Sequence, residues 1–189
     1  MAMPATARHD WTVEMLDALP DDGQRYEIID GELFVTPSPR AAHQLVLGEL
    51  YARFHAYLRE RSVGRVVFSP SDIRRGDHSR NRVEPDLYVV RLNDRALPAT
   101  PFDVADLLLA VEVASPSNLR YDDHTKRALY LEGGVPEYWV VNLEARNISR
   151  WRANVDAGEV LSREIVWHPA GKNASLVIDV EQLFREALD

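Results

Sequence analysis

Cysteine is absent from this chain of 189 residues, which removes disulfides, thiolate zinc sites, iron–sulfur clusters and cysteine nucleophiles at once. Any metal must be held by oxygen or imidazole. Long apolar runs are missing too: nothing approaches the ~18 uninterrupted apolar residues of a membrane span. The opening MAMPATARHDW has neither the basic head nor the apolar run of a secretory signal. A soluble, unprocessed, cytoplasmic protein is expected. Lysine is scarce: of 22 lysines and arginines only Lys126 and Lys172 are lysine. Arginine fills nearly every cationic position, so a lysine in this background is either there by chance or marks a need for a compact, deprotonatable amine. Positive charge as a whole is in deficit. The net charge of −8 excludes coating of nucleic acid by bulk electrostatics, which needs a basic surface, but leaves room for a local basic groove. No internal repeat, low-complexity tract or interdomain linker is visible.

What is present supports one domain, residues 1–189, since a chain of this length with 46% hydrophobic residues can bury one substantial core. A short helix is expected near Val13 to Leu19. RYEIIDGELFVT then reads as a β-hairpin turning at Asp30-Gly31 and closed by Pro37 and Pro39. From Ala41 to Arg61, Leu47, Leu50, Tyr51, Phe54 and Leu58 recur at helical spacing. RVVFSP and DLYVV read as strands separated by the polar loop IRRGDHSRNRVEP. A strand over residues 107–114 follows, then a helix capped by Asp122 or Asp123 and stopped by Gly133-Gly134. EYWVVNL, ISRWR, EIVWH and SLVI are further strands, and VEQLFREAL is a terminal helix. Apolar strands mixed with crossover helices imply an α/β layer structure with a mixed central sheet flanked by helices and an N-terminal hairpin.

One carboxylate interrupts the most apolar strand. In LLLAVEVASPS, Glu112 sits among Leu107, Leu108, Leu109, Val111 and Val113, and a buried ionised carboxylate is costly unless paired. Two accounts are open: an ion pair with an arginine, or a cation site where the strand reaches a cleft. Glu84-Pro85-Asp86 adds to the second. Pro85 cannot donate to a sheet ladder, so it marks a strand start and leaves Asp86 where backbone makes room for a ligand. Lys126 precedes Leu129 and Tyr130 by helical spacing and shares their inward face. Two carboxylates on neighbouring strands beside an inward lysine suit a hard divalent cation and a phosphate oxygen.

At these residues a family resemblance emerges. Glu84-Pro85-Asp86, VEVASPS from Val111 to Ser117, Lys126 and GVPEYW from Gly134 to Trp139 resemble the Uma family of putative restriction endonucleases, within the PD-(D/E)XK nuclease superfamily. YEIIDGEL and His43 extend the similarity to about residues 26–152. The resemblance implies a restriction-endonuclease-like fold and a magnesium-dependent endonuclease, with manganese as a substitute ion. Asp86 and Glu112 become metal ligands, with the carbonyl of Val113 as a third. The superfamily lysine should stand at position 114, where this chain has alanine; Lys126, displaced onto the following helix, is the substitute the resemblance suggests. It also favours Glu27 over Glu32 as a residue pointing into the site, and offers His43 as a neighbour of the metal, with capping or packing as its alternative.

Arg74, Arg75, Arg80 and Arg82 lead into Pro85-Asp86 and are candidate phosphate-gripping residues, although a solvated loop has the same composition. Ser115-Pro116-Ser117 lacks a nucleophile elbow and reads as a strand exit. Two other functions fit the same residues: a catalytically inactive nuclease-fold module that binds nucleic acid or protein, and a glycoside hydrolase using Asp86 and Glu112 as acid and base. The expected partner is DNA, and a homodimer is expected because two sites would then face two strands.

Overall fold

The computed structural model describes residues 3–4, 10–20, 22–36, 38–76, 79–114, 122–155, 157–169 and 175–189. Pro37, Asp77, Ser115-Pro116-Ser117, Lys172 and the side chains of Asp122 and Asp123 lie outside what it describes. The hairpin forms where the sequence places it, as β2 (Arg25–Ile29) and β3 (Glu32–Thr36). Its two-residue turn has positive φ at both Asp30 (51°) and Gly31 (81°), the geometry that matches the strand twist and that Asp-Gly adopts at low cost. Before it come β1 (Met3–Pro4), which pairs with β3, and α1 (Val13–Asp17), capped by Thr12 and burying Val13 and Leu16. After it, α2 (Ala41–Arg59) buries a stripe from His43 through Val46, Leu47, Leu50 and Phe54 to Leu58 and ends short of Arg61.

The central sheet uses β4 (Gly64–Phe68), β7 (Leu87–Arg91), β9 (Leu107–Ala114), β10 (Glu137–Asn142), β11 (Asn147–Arg152) and β12 (Glu159–Leu161). Its spatial order is β12-β11-β10-β9-β7-β4. Within it only β9 and β10 run parallel, so the chain must cross over between them. It returns through a π-helical turn, Asp122–Lys126, that continues into α3 (Arg127–Glu132). Gly133 N donates to Leu129 O at 3.0 Å and ends that helix.

A second sheet is an addition to the sequence reading. The polar loop after β4 contains β5 (Ile73–Arg74) and β6 (Arg82–Val83); with β8 (Phe102–Asp103) they extend the hairpin into the order β1-β3-β2-β6-β5-β8. The strands β13 (Glu164–Trp167) and β14 (Leu176–Asp179) stay out of both sheets as an antiparallel ribbon. The terminal helix α4 (Val180–Leu188) starts from an Asp179 cap that accepts from Gln182 N at 2.8 Å.

The central sheet is covered on both faces, which is why every residue of β9 is buried. On one side α2, α4 and the β13–β14 ribbon pack around Phe54, which meets the rings of Trp139 at 5.7 Å and Trp167 at 5.3 Å. On the other, α3 and the second sheet bury Ile73, Val83, Tyr88, Ala110, Ala114, Tyr130 and Tyr138. Side chains alternate along a strand. Val111 and Val113 therefore face α2, while Glu112 lies on the side of Ala110 and Ala114. No helix of the described residues is long and apolar enough to cross a membrane.

Candidate active site

Antiparallel pairing of β7 and β9 sets Leu87 opposite Val111. One step further along that register, Asp86 at the mouth of β7 comes beside Glu112. The Asp86 carboxylate is nearly enclosed, with 2% exposure, and each oxygen has its own donors. Oδ2 accepts from the backbone N–H of Val113 at 2.8 Å and from His43 Nε2 at 2.9 Å. Oδ1 accepts from Arg25 Nη1 at 2.8 Å. Since an ionised carboxylate only accepts, His43 carries its proton on Nε2. Burial pushes Asp86 up, yet the hydrogen bond from His43 and the charges of Arg25 and Lys126 outweigh it and hold the carboxyl well below the usual carboxylate range.

Glu112 is held from the other direction. Its Oε1 accepts from Lys126 Nζ at 2.9 Å and from Tyr130 OH at 3.2 Å. Tyr130 follows Lys126 by four residues, so one face of the π turn and α3 presents both groups to β9. Lys126 Nζ also lies 2.9 Å from Glu27 Oε2, an ion pair rather than an aligned hydrogen bond. Glu27 is completely buried, and its Oε1 accepts the backbone N–H of Glu84 at 2.7 Å. Burial, reinforced by Glu27 and Asp72, raises the Glu84 carboxyl above its ordinary value. Arg25 reaches in from β2; burial opposes its charge, but Asp86, Glu27 and Glu112 outweigh that and stabilise the guanidinium.

Asp86, Glu112, Lys126, Glu27 and His43 are thus brought into one connected cluster, and Val113 joins it through its N–H. The loop arginines are directed elsewhere. Arg82 is bound to Asp17 at 2.6 Å and Asp72 at 2.9 Å, Arg80 donates to Asp30 O at 3.0 Å, and Arg75 lies 3.4 Å from Glu132. Arg74 is half-buried in β5. Sequence reasoning missed Arg25 and the role of Tyr130. The signals were the i, i+2 relation of Arg25 to Glu27, which puts both on one face of β2, and the shared helical face of Lys126 and Tyr130.

The donor set fits a hard divalent cation. Glu27, Asp86 and Glu112 carry formal charges of −3 against +2 from Arg25 and Lys126, leaving an excess of −1 in a buried site. Among the described residues no three His, Asp or Glu side chains form a ready-made metal cage. Magnesium does not require one, because it binds through one or two carboxylates and keeps several waters.

The family model described as "Uma2: Putative restriction endonuclease" matches residues 13–185. Among solved structures, a putative nuclease belonging to DUF820 from Anabaena variabilis superposes with a TM-score of 0.75 at 18% identity, covering 94% of this chain and 99% of the other. At that identity the likeness establishes the shared fold, with its mixed sheets and N-terminal hairpin, and says nothing by itself about chemistry. No curated protein matches the chain.

Proposed function

The chain belongs to the Uma2 putative restriction endonuclease family, and from that premise we propose that it is a magnesium-dependent endonuclease hydrolysing phosphodiester bonds in DNA, working as one domain and as a homodimer with one site for each strand. The observation that carries this reading is the buried Lys126–Glu112 ion pair at 2.9 Å, next to Asp86 on the adjoining strand. It supplies an ammonium at the carboxylate although position 114 is alanine.

Asp86, Glu112 and the carbonyl of Val113 would hold the ion. When bound, magnesium would supply charge stabilisation at the phosphoryl group and a lower pKa for a coordinated water. The protein's own groups do the rest. His43 and the Val113 N–H orient Asp86 through Oδ2, and Tyr130 steadies Glu112. Lys126, anchored by Glu27, orients the attacking water and faces the negative charge that develops on the phosphate. Arg74, Arg75 and Arg80 grip flanking phosphates.

A glycosidase needs one carboxyl that is protonated at neutral pH. Asp86 is held well below the ordinary range and Glu112 is ion-paired, so the pair is ill-suited to that chemistry. The binding-module reading is favoured by Ala114 and by the net charge of −8. Incubation of supercoiled plasmid, single-stranded DNA and RNA with magnesium or manganese separates the two. Cutting that needs the ion, stops with EDTA and disappears in Glu112→Gln and Lys126→Ala supports the nuclease. Binding without turnover under either ion supports the module.

A further inference from the structure

The two oxygens of Asp86 are used differently. Oδ2 is fixed by Val113 N–H and His43, both from rigid elements, and these contacts hold the carboxylate without touching Oδ1. Oδ1 is taken by Arg25. That guanidinium belongs to the more exposed of the two side-chain donors, 18% against 11% for His43; its other hydrogen bond is a 3.2 Å contact to Ser69 Oγ, and its Nε is buried without a hydrogen-bond partner. A divalent cation at Oδ1 would stand against a full positive charge at hydrogen-bond distance. The two cannot share that oxygen, and Arg25, the more exposed partner on a long side chain, is the part able to move.

We propose that Arg25 is a latch on Asp86, displaced from Oδ1 by the entering divalent cation and then used to hold a non-bridging oxygen of the phosphodiester. The inference rests on the metal-dependent reading above and deepens it. A guanidinium is suited to both partners, since its planar fork pairs with carboxylate and with phosphate alike. The exchange makes ion and nucleic acid cooperative: the cation releases Arg25 from its carboxylate, and the phosphate gives it a new anionic partner. In the absence of nucleic acid, displacing Arg25 costs the cation part of its binding energy, which keeps the empty enzyme from holding metal tightly. Linkage then requires that nucleic acid raise the affinity for the ion by the same factor as the ion raises affinity for nucleic acid.

A residue that merely supports the site and a latch give opposite results on removal. Titration calorimetry with manganese on the full-length protein, without nucleic acid, compares the wild type with Arg25→Ala, Arg25→Gln and Asp86→Asn. Arg25→Gln keeps most of the stem and a polar end while removing the charge and the reach to Asp86, so it remains informative if the alanine variant unfolds. Both Arg25 variants should bind manganese at least about tenfold more tightly, the scale of one charged hydrogen bond. They should also bind a fluorescent DNA duplex more weakly than wild type when manganese is present. Unchanged or weaker manganese binding in the Arg25 variants, with wild-type binding abolished by Asp86→Asn, overturns the latch and leaves the metal site standing. Wild-type binding that ignores Asp86→Asn overturns the metal reading and the latch together.

Discussion

Replacing Lys126 by methionine removes the cation between Glu27 and Glu112 while nearly preserving the volume of a side chain that is only 2% exposed. Both carboxylates stay buried, each having lost a partner at 2.9 Å. Breaking a buried ion pair from one side costs about 3–5 kcal/mol. For a domain of this size each kcal/mol lowers the melting midpoint by about 2–4 °C, so a loss of ~4 kcal/mol predicts a drop of about 8–16 °C. Magnesium held at the proposed site would relieve the repulsion, because an ion that binds only the folded state adds about 2.7 kcal/mol at a concentration of 100 times its Kd. Scanning calorimetry of wild type and variant, with and without magnesium, gives the two comparisons. A midpoint within about 2 °C of wild type without magnesium would refute the reasoning, since that is less than ~1 kcal/mol and incompatible with a buried ammonium between two carboxylates.

Glu137 titrates with the opposite sign to Asp86. Burial raises its carboxyl, only partly offset by the hydrogen bond from Trp139 and by Arg150. Because its folded-state pKa exceeds the unfolded value, its contribution is greatest below the unfolded range and is lost as pH rises through the folded value. Glu137→Gln should therefore gain stability relative to wild type as pH rises above the ordinary glutamate range in urea melts. Arg75→Ala and Arg80→Ala should each reduce the salt slope of DNA binding by about 1, whereas Arg82→Ala, stripped from Asp17 and Asp72, should show its effect in thermal stability. At Gly64 a methyl would meet Val90 O at 2.6 Å and Val89 Cγ1 at 2.8 Å; Gly64→Ala should lose about 1–3 kcal/mol in denaturant melts. Lys126→Ala should abolish plasmid cutting, and adding Ala114→Lys should restore a measurable part of it.

The elements with a strong period were legible. β9 is apolar on both faces because it lies between two cores, and the single acid in it, Glu112, had to be paired or bound; it is paired with Lys126, which helical spacing placed on the inward face of Leu129 and Tyr130. Asp30-Gly31 announced its turn through the φ values it tolerates. The second sheet was not legible, because β5, β6 and β8 are each two residues long and too short to display alternation. Arg25 was hidden for another reason: in a chain that uses arginine almost everywhere, only a tertiary contact marks one as different. The same holds for Arg82, whose position before Glu84-Pro85-Asp86 suggested phosphate while its partners are Asp17 and Asp72.

The place of Lys126 follows from how the sheet is covered. A lysine at position 114 would leave β9 on the same face as Glu112, two residues away, and reach its carboxylate along the strand. That face is roofed by α3, whose Leu129 and Tyr130 share one core with Ala110 and Ala114. An ammonium delivered from the roof arrives at the same carboxylate as one delivered from the strand. The roof also adds what a strand lysine lacks, an anchor on the second sheet: Lys126 is bound to Glu27 on β2, the strand that also carries Arg25 to Asp86. The hairpin and the crossover helix are thereby both tied to the two carboxylates, so the placement of the amine and the placement of Asp86 and Glu112 depend on one set of contacts between the two sheets.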